Sequence, residues 1–282
     1  MRVMDSRENQ GRWGISWVGR NEPFPDAAAL QSLTPGWVRL PADLTAIETA
    51  RAAGCGVLVV LKGTVETLPA LEATVKALKS HVRHWEIDSE PDDPAFGWPA
   101  DDLTSYARYL QAAATLIKTV DPTAVVHNGG LGRSLPKGIA RLHALGVGTA
   151  VDVWNVHPYL NPLMPDATGG LRYFHDMIQK TLTTLGDGAK PVWWTSIACP
   201  GMADPKAAAN WWLGKNPTES VQADWARLVM TQVPTWGVAK VFWEGWRDQP
   251  GRTGTGIDAF GLHRTDGSPK PACDVLTAAL PT

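Results

Sequence analysis

The chain has 282 residues, 44% of them hydrophobic and 19% charged, with a formal net charge of −2. That balance describes a well-packed globular protein, and without a basic block or an acidic tail it argues against nucleic acid or an anionic membrane surface as a partner. No apolar run approaches the roughly 20 residues that a membrane-spanning helix needs. The three cysteines, Cys55, Cys199 and Cys273, are far apart and form no CxxC pair. They read as free, mostly buried thiols and not as a disulfide framework or a zinc ribbon. The residues before Gly14 show no apolar core of a secretory signal, which leaves the compartment open. Tryptophan is abundant, at 14 residues. An indole has a flat apolar face and one N–H donor, which suits stacking on sugar rings. The tandem Trp193-Trp194 and the pair Trp243 and Trp246 therefore point to a carbohydrate cleft, against the plainer reading that Trp fills a large core.

In chain order, Arg12–Trp17 reads as a first strand and 26–33 as a short helix ended by Thr34-Pro35-Gly36. Trp37–Leu40 is a second strand closed by Pro41. Asp43 caps a helix with Leu44, Ile47, Ala50 and Ala53 on its apolar face. The unbroken run Gly56–Leu61 fits a strand buried on both faces. A helix over 68–80 leads to His84-Trp85-Glu86-Ile87-Asp88-Ser89-Glu90-Pro91, a fourth strand that Pro91 stops, with Glu90 at its tip. The segment 101–120 has the clearest helical period, through Leu103, Tyr106, Leu110, Ala113, Ile117 and Val120. Strands follow at 124–128, 151–159, 191–196 and 238–244, with helices near 136–145, 171–185, 218–233 and 271–279.

Strand–helix alternation implies parallel strands joined by right-handed crossovers. Eight such units over residues 1–282 imply an α/β fold, a single-domain (β/α)8 (TIM) barrel. A doubly wound open sheet is disfavoured, because no GxGxxG or GxxxxGK[ST] loop marks a nucleotide crevice. In a barrel the chemistry gathers at the C-terminal strand ends. Those ends carry Trp17, Arg39, Lys62, Glu90, His127, Asn128, His157, Tyr159, Ser196 and Glu244, a polar cup in which Glu90 is the candidate general acid.

With these motifs in place, the chain resembles the clan A retaining glycoside hydrolases, nearest to the family 39-like barrels. Trp85–Pro91 is similar to their strand-four W-E-[IVL]-x-N-E-P, and Asn155–Leu160 to their strand-six H-P-Y segment. Phe260-Gly261-Leu262 with Asp266–Ala272 is similar to the F-G-L…D-G-x-P-K-P-A ending. The resemblance implies that Glu90 is the acid/base and that Arg39 orients the nucleophile. Two positions depart from the pattern. Ser89 stands where an asparagine binds the sugar 2-hydroxyl, leaving one hydroxyl in place of an amide's paired donor and acceptor. Ser196 stands where P-[VI]-W-[VIL]-T-E-x-G-x-P has the nucleophilic glutamate.

Retaining hydrolysis uses two carboxyl groups about 5–5.5 Å apart. A serine hydroxyl is a poor nucleophile without a base, so the chain as written is expected to be strongly impaired. Three explanations stand. Serine has been put in place of glutamate at 196, inactivating an otherwise intact site. The chain is a natural, non-catalytic carbohydrate-binding barrel. Or the second carboxylate has moved to Glu244 or Asp248. The expected function is a glycosidase acting on a β-linked oligosaccharide or polysaccharide. The subsite wall is expected from Trp17, Arg39, Ser89, Asn128, His157, Tyr159, Trp194 and Trp243. The histidines show no HxxxH or HExxH spacing, so neither a metal nor another cofactor is expected. A barrel aldolase with Lys62 forming a Schiff base is a distant third class. Substrate selection should depend on the loops around 22–26, 91–101, 161–170 and 201–219, the last bearing Trp211-Trp212.

Overall fold

The computed structural model describes residues 11–19, 22–99, 103–206, 216–249 and 259–278; Trp211 and Trp212 lie outside them. Eight parallel strands form the sheet: β1 (Trp13–Ser16), β2 (Trp37–Pro41), β3 (Gly56–Leu61), β4 (His84–Ile87), β5 (Val125–Asn128), β6 (Trp154–Val156), β7 (Val192–Ile197) and β8 (Lys240–Glu244). Their order is β5-β4-β3-β2-β1-β8-β7-β6. The β5–β6 seam closes through the parallel bridges His127↔Val153 and Leu131↔Val156. The chain is therefore a (β/α)8 barrel.

Helices α1 (Ala27–Leu33), α2 (Leu44–Ala52), α3 (Leu68–Leu78), α4 (Thr104–Val120), α5 (Leu135–Ala144), α6 (Ala167–Thr184), α7 (Glu219–Gln232) and α8 (Pro271–Ala278) alternate with the strands. Asp26 and Asp43 cap α1 and α2 by accepting from the amides of Ala29 and Ala46. Helix α6 begins four residues earlier than its apolar period suggests, because Asp166 caps it at Gly169. Strand β6 is shorter than expected; beyond Val156 the chain bends, and the Tyr159 amide bonds back to the His157 carbonyl.

The barrel axis is filled in tiers. Lowest lie Trp37, Leu58, Val153, Trp193 and Phe242, packed on one another. Gly14 makes room here, since a Cβ on it would meet the Phe242 ring at 2.7 Å. Above them His84 and His127 pair at 3.0 Å, with Trp193 stacked on His84. Burial lowers both imidazoles, His127 to about 4, so this tier is uncharged near neutrality. His127 is thus a core residue below the cup. All three cysteines are buried and free, and burial pushes Cys55 up to about 12.

The abundance of tryptophan reflects the core. Trp13, Trp37, Trp85, Trp154 and Trp225 are buried, as are Trp193, Trp194, Trp243 and Trp246. Among the described tryptophans only Trp17, Trp98 and Trp236 are partly exposed.

Candidate active site

After Ile87 the β4 chain leaves its ladder, and Asp88 and Glu90 take φ of 63° and 49°. Left-handed backbone costs a non-glycine residue about 1–3 kcal/mol, so the surroundings must hold it. The Glu90 amide donates to Gly130 O at 3.0 Å, and the Asp93 amide donates to Glu90 O. Tyr106 on α4 clamps the tips of β4 and β5: its hydroxyl donates to Ile87 O and accepts from the Gly129 amide. Asp92 accepts from the amides of Gly132, Arg133 and Ser134 and from the Ser134 hydroxyl, tying the two loops together. This turn presents Glu90 to the cup with its side chain 17% exposed.

His157 bridges outward and inward. Its Nδ1 is 2.7 Å from Glu90 Oε1, and its Nε2 is 3.0 Å from Thr195 Oγ1. Thr195 in turn reaches Glu86 Oε1 at 3.4 Å. When Glu90 carries a proton it can donate to Nδ1, and the imidazole then donates through Nε2 to Thr195. When Glu90 is ionised, the other tautomer donates to it from Nδ1. A single imidazole therefore serves both states that a general acid/base passes through.

Under the cup lies a buried ion pair. Arg39 donates from Nε and Nη2 to the two Glu86 oxygens, at 2.6 and 3.0 Å. It also donates from Nη1 to Ser16 and from Nη2 to Ser89 Oγ at 2.9 Å. Burial works against the Arg39 charge, but Glu86 outweighs it and the net shift is upward, with a smaller pull from Glu244. Burial likewise raises Glu86, yet Arg39, His157 and the Gly130 amide hold it below the usual range. Arg39 thus grips β4 directly and reaches Glu244 only through its field. Ser89, 6% exposed, accepts from Arg39 and keeps its own proton to donate.

Ser196 owes its place to a bulge. Trp194 pairs with Val241 but Ile197 with Trp243, so β7 holds one extra residue there. Such a bulge breaks the alternation of faces and lets Thr195 and Ser196 both face the site. Ser196 Oγ donates to Glu244 Oε2 at 2.9 Å and bonds the Tyr159 hydroxyl closely. Burial, with the charges of Glu244 and Glu90, pushes the Tyr159 phenol well above its usual range, so it remains a donor. The row Arg39–Ser16–Glu244 is in register across β2, β1 and β8.

Three expected subsite residues are placed otherwise. Asn128 is fully buried, and its amide exchanges hydrogen bonds with the Asn155 backbone at 2.7 and 3.0 Å, closing the seam that lacks a regular ladder. Trp194 is fully buried and faces Trp236 outside the barrel, ring centroids 6.2 Å apart. Trp243 is also fully buried, and its indole N–H donates to Phe260 O. Outward-facing positions of a parallel barrel are covered by helices, so these indoles cannot reach a ligand in the cup. Trp17 stays at the rim, edge-on to Phe24 at 5.1 Å. Asp248, the other carboxylate considered, is held by Lys270, whose Nζ donates to it at 2.8 Å and to the carbonyls of Gly201 and Ala259. That lysine of the closing motif is a tie between loops. Thr195 is the site residue that sequence reasoning passed over, because nothing in the apolar run betrays the bulge. Among the described residues no group of three or more His, Cys, Asp or Glu could hold a metal ion, and no helix is long and apolar enough to cross a membrane.

No protein-family model and no curated protein matches the chain. Solved structures do. A family 39 glycoside hydrolase from Bacteroides cellulosilyticus aligns with TM-score 0.71 and 20% identity, over 99% of this chain and 65% of its own. The family 39 enzyme of Xanthomonas axonopodis pv. citri gives 0.70 at 16% identity, over 95% and 65%. A monomeric β-xylosidase from Caulobacter crescentus gives 0.66 at 17% identity, over 95% and 67%. At such identities the likeness establishes the barrel fold, and the chain spans about two thirds of these relatives' length.

Proposed function

We propose that this chain cleaves β-linked glycosides, with Glu90 as acid/base and Glu244 as the second carboxylate, in place of the glutamate that the family 39-like pattern has at position 196. The observation that carries the reading is the 2.9 Å hydrogen bond from Ser196 Oγ to Glu244 Oε2. A glutamate at 196 would set its carboxylate oxygens about 2.4 Å from the atom equivalent to Oγ, by ordinary bond lengths. Glu244 brings a carboxylate to the same distance range from that atom. Ser196 is 3% exposed, whereas Glu244 and Glu90 are partly exposed. Since Ser196 donates to Glu244, Tyr159 must donate to Ser196, a chain of donors that orients the carboxylate.

In the first step Glu90 passes its proton to the glycosidic oxygen as the C–O bond breaks, and a Glu244 oxygen bonds the anomeric carbon. In the second, Glu90 takes a proton from water, whose oxygen displaces Glu244, and the anomeric configuration is retained. His157, Tyr159, Ser89 and Trp17 form the sugar subsite. The similar folds described as glycoside hydrolases and a xylosidase support the choice of substrate class.

The test is cleavage of aryl β-glycosides, followed by NMR of the first anomer released. Glu90→Gln and Glu244→Gln should each lose at least about 100-fold in kcat/KM, the scale of general acid–base effects. Ser196→Glu should gain nothing, because two carboxylates crowded together cannot both ionise. A gain of several orders of magnitude in Ser196→Glu, with Glu244→Gln neutral, would make the chain a disabled hydrolase with its nucleophile missing. Tight glycan binding with no cleavage by any variant would make it a binding barrel. An inverted first product would assign Glu244 to activating water.

A further inference from the structure

A second pocket of about 570 Å³ opens between the segments that follow β3 and β4, and Lys62, Asp88, Phe96, Trp98, Arg108 and Tyr109 are among its walls. It lies at the end of the barrel that carries Glu90, two residues beyond Asp88. Lys62 and Arg108 are exposed, and neither makes a hydrogen bond or ion pair among the described residues. The acids nearby are already engaged. Asp88 is 6% exposed and accepts from the Ser89 amide and from Trp98, while Glu66 bonds Thr64. Two carboxylates of the same wall, Asp88 and Glu66, face these cations, and the charge of Lys62 acts on Asp88. The hydrogen-bond donors of Lys62 and Arg108 are nevertheless unused among the described residues and can serve an anion in the cavity.

The remaining wall is aromatic and rigid. Trp98 stacks on Tyr109 with centroids 5.8 Å apart and meets Tyr106 edge-on at 5.2 Å. It is partly exposed, and Phe96 beside it is 47% exposed. Tyr109 is fully buried, and its hydroxyl has no hydrogen-bond partner among the described residues. Buried hydroxyls are nearly always satisfied, so an orphan in a pocket wall points to a polar ligand atom. A flat aromatic platform with polar edges fits a sugar ring.

We propose that this pocket is a second carbohydrate site that takes an acidic sugar, its ring on Trp98 and its carboxylate or sulfate between Lys62 and Arg108. The proposal rests on the carbohydrate reading of the cup only for the class of ligand. A glycan held here runs beside Glu90, so the substrates of the cup would be chains that carry acidic units.

Binding separates the two readings, because it needs no cleavage. The full chain bearing Glu90→Gln is titrated calorimetrically with a neutral β-linked oligosaccharide, its uronic acid counterpart and its O-sulfated counterpart. One acidic ligand should bind at least tenfold more tightly than the neutral one, and the tighter of the two names the group. Added salt should erode the advantage. Lys62→Met or Arg108→Met, both at exposed positions, should abolish it and leave the neutral ligand's affinity unchanged. Equal affinity for neutral and acidic ligands would overturn the proposal while the cup reading stands. A preference for acidic ligands that survives both substitutions would also overturn it. No binding of any glycan would overturn both.

Discussion

Replacing Glu86 by Gln tests whether the buried ion pair is what holds the cup together. Glu86 has no exposed surface and accepts from Arg39 Nε and Nη2, from the Gly130 amide and, at 3.4 Å, from Thr195. Glutamine is nearly the same size but offers one acceptor oxygen, so its NH2 must face Arg39 or the Gly130 amide. Arg39, itself 2% exposed, is then an uncompensated buried charge. Breaking a buried pair from one side costs about 3–5 kcal/mol. For a chain of 282 residues that is a fall of about 5–8 °C in Tm. The folded carboxyl lies below its unfolded value, so its stabilising contribution is full above about pH 4.3, the unfolded value, and is lost as pH falls through the folded one. Urea unfolding from pH 3 to 7 should therefore show a smaller acid-dependent loss for Glu86→Gln than for the parent. Removing both partners, as Arg39→Met with Glu86→Leu, should recover most of the stability. A loss below about 1 kcal/mol in the single variant would refute the reasoning.

Three other outcomes follow from particular contacts. Gly130→Ala would put a Cβ 2.1 Å from His157 Nε2, so the imidazole must leave Glu90; pH–rate profiles should shift or collapse, with about 1–3 kcal/mol lost in denaturation. Asp92→Ala removes four hydrogen bonds between the β4 and β5 loops and should cost about 2–4 kcal/mol by thermal melts, whereas Asp92→Asn should cost less. His127 is held neutral to about pH 4 by burial, so the unfolded chain binds its proton first as pH falls below about 6.5. Stability should decline across that window, and the imidazole resonances of His84 and His127 should remain those of neutral rings at pH 5.

Much of the architecture is legible in local patterns. The period of Tyr106, Leu110, Ala113 and Ile117 sets the buried face of α4, and the apolar run of β3 marks a strand covered on both sides. Glu90 at the tip of β4 and Ser196 near the end of β7 could be placed because an abrupt stop and a barrel order are written in the chain itself. Other features follow only from long-range contacts. Both faces of a parallel barrel strand are buried, so hydrophobicity cannot distinguish a side chain facing the axis from one facing the helices. Trp193 fills the barrel while Trp194, its neighbour, packs outside it against Trp236. Asn128 closes a seam because β5 and β6 meet without a regular ladder. The extra residue in β7, the grip of Arg39 on Glu86 and the approach of Glu244 to Ser196 join positions 47 and 48 residues apart, or depend on register between neighbouring strands. Residue types and periods along one chain therefore determined the barrel and where its strand tips fall. Closure of the barrel decided which carboxylate stands beside Ser196, because only packing and register bring separate strand tips within a hydrogen bond of each other.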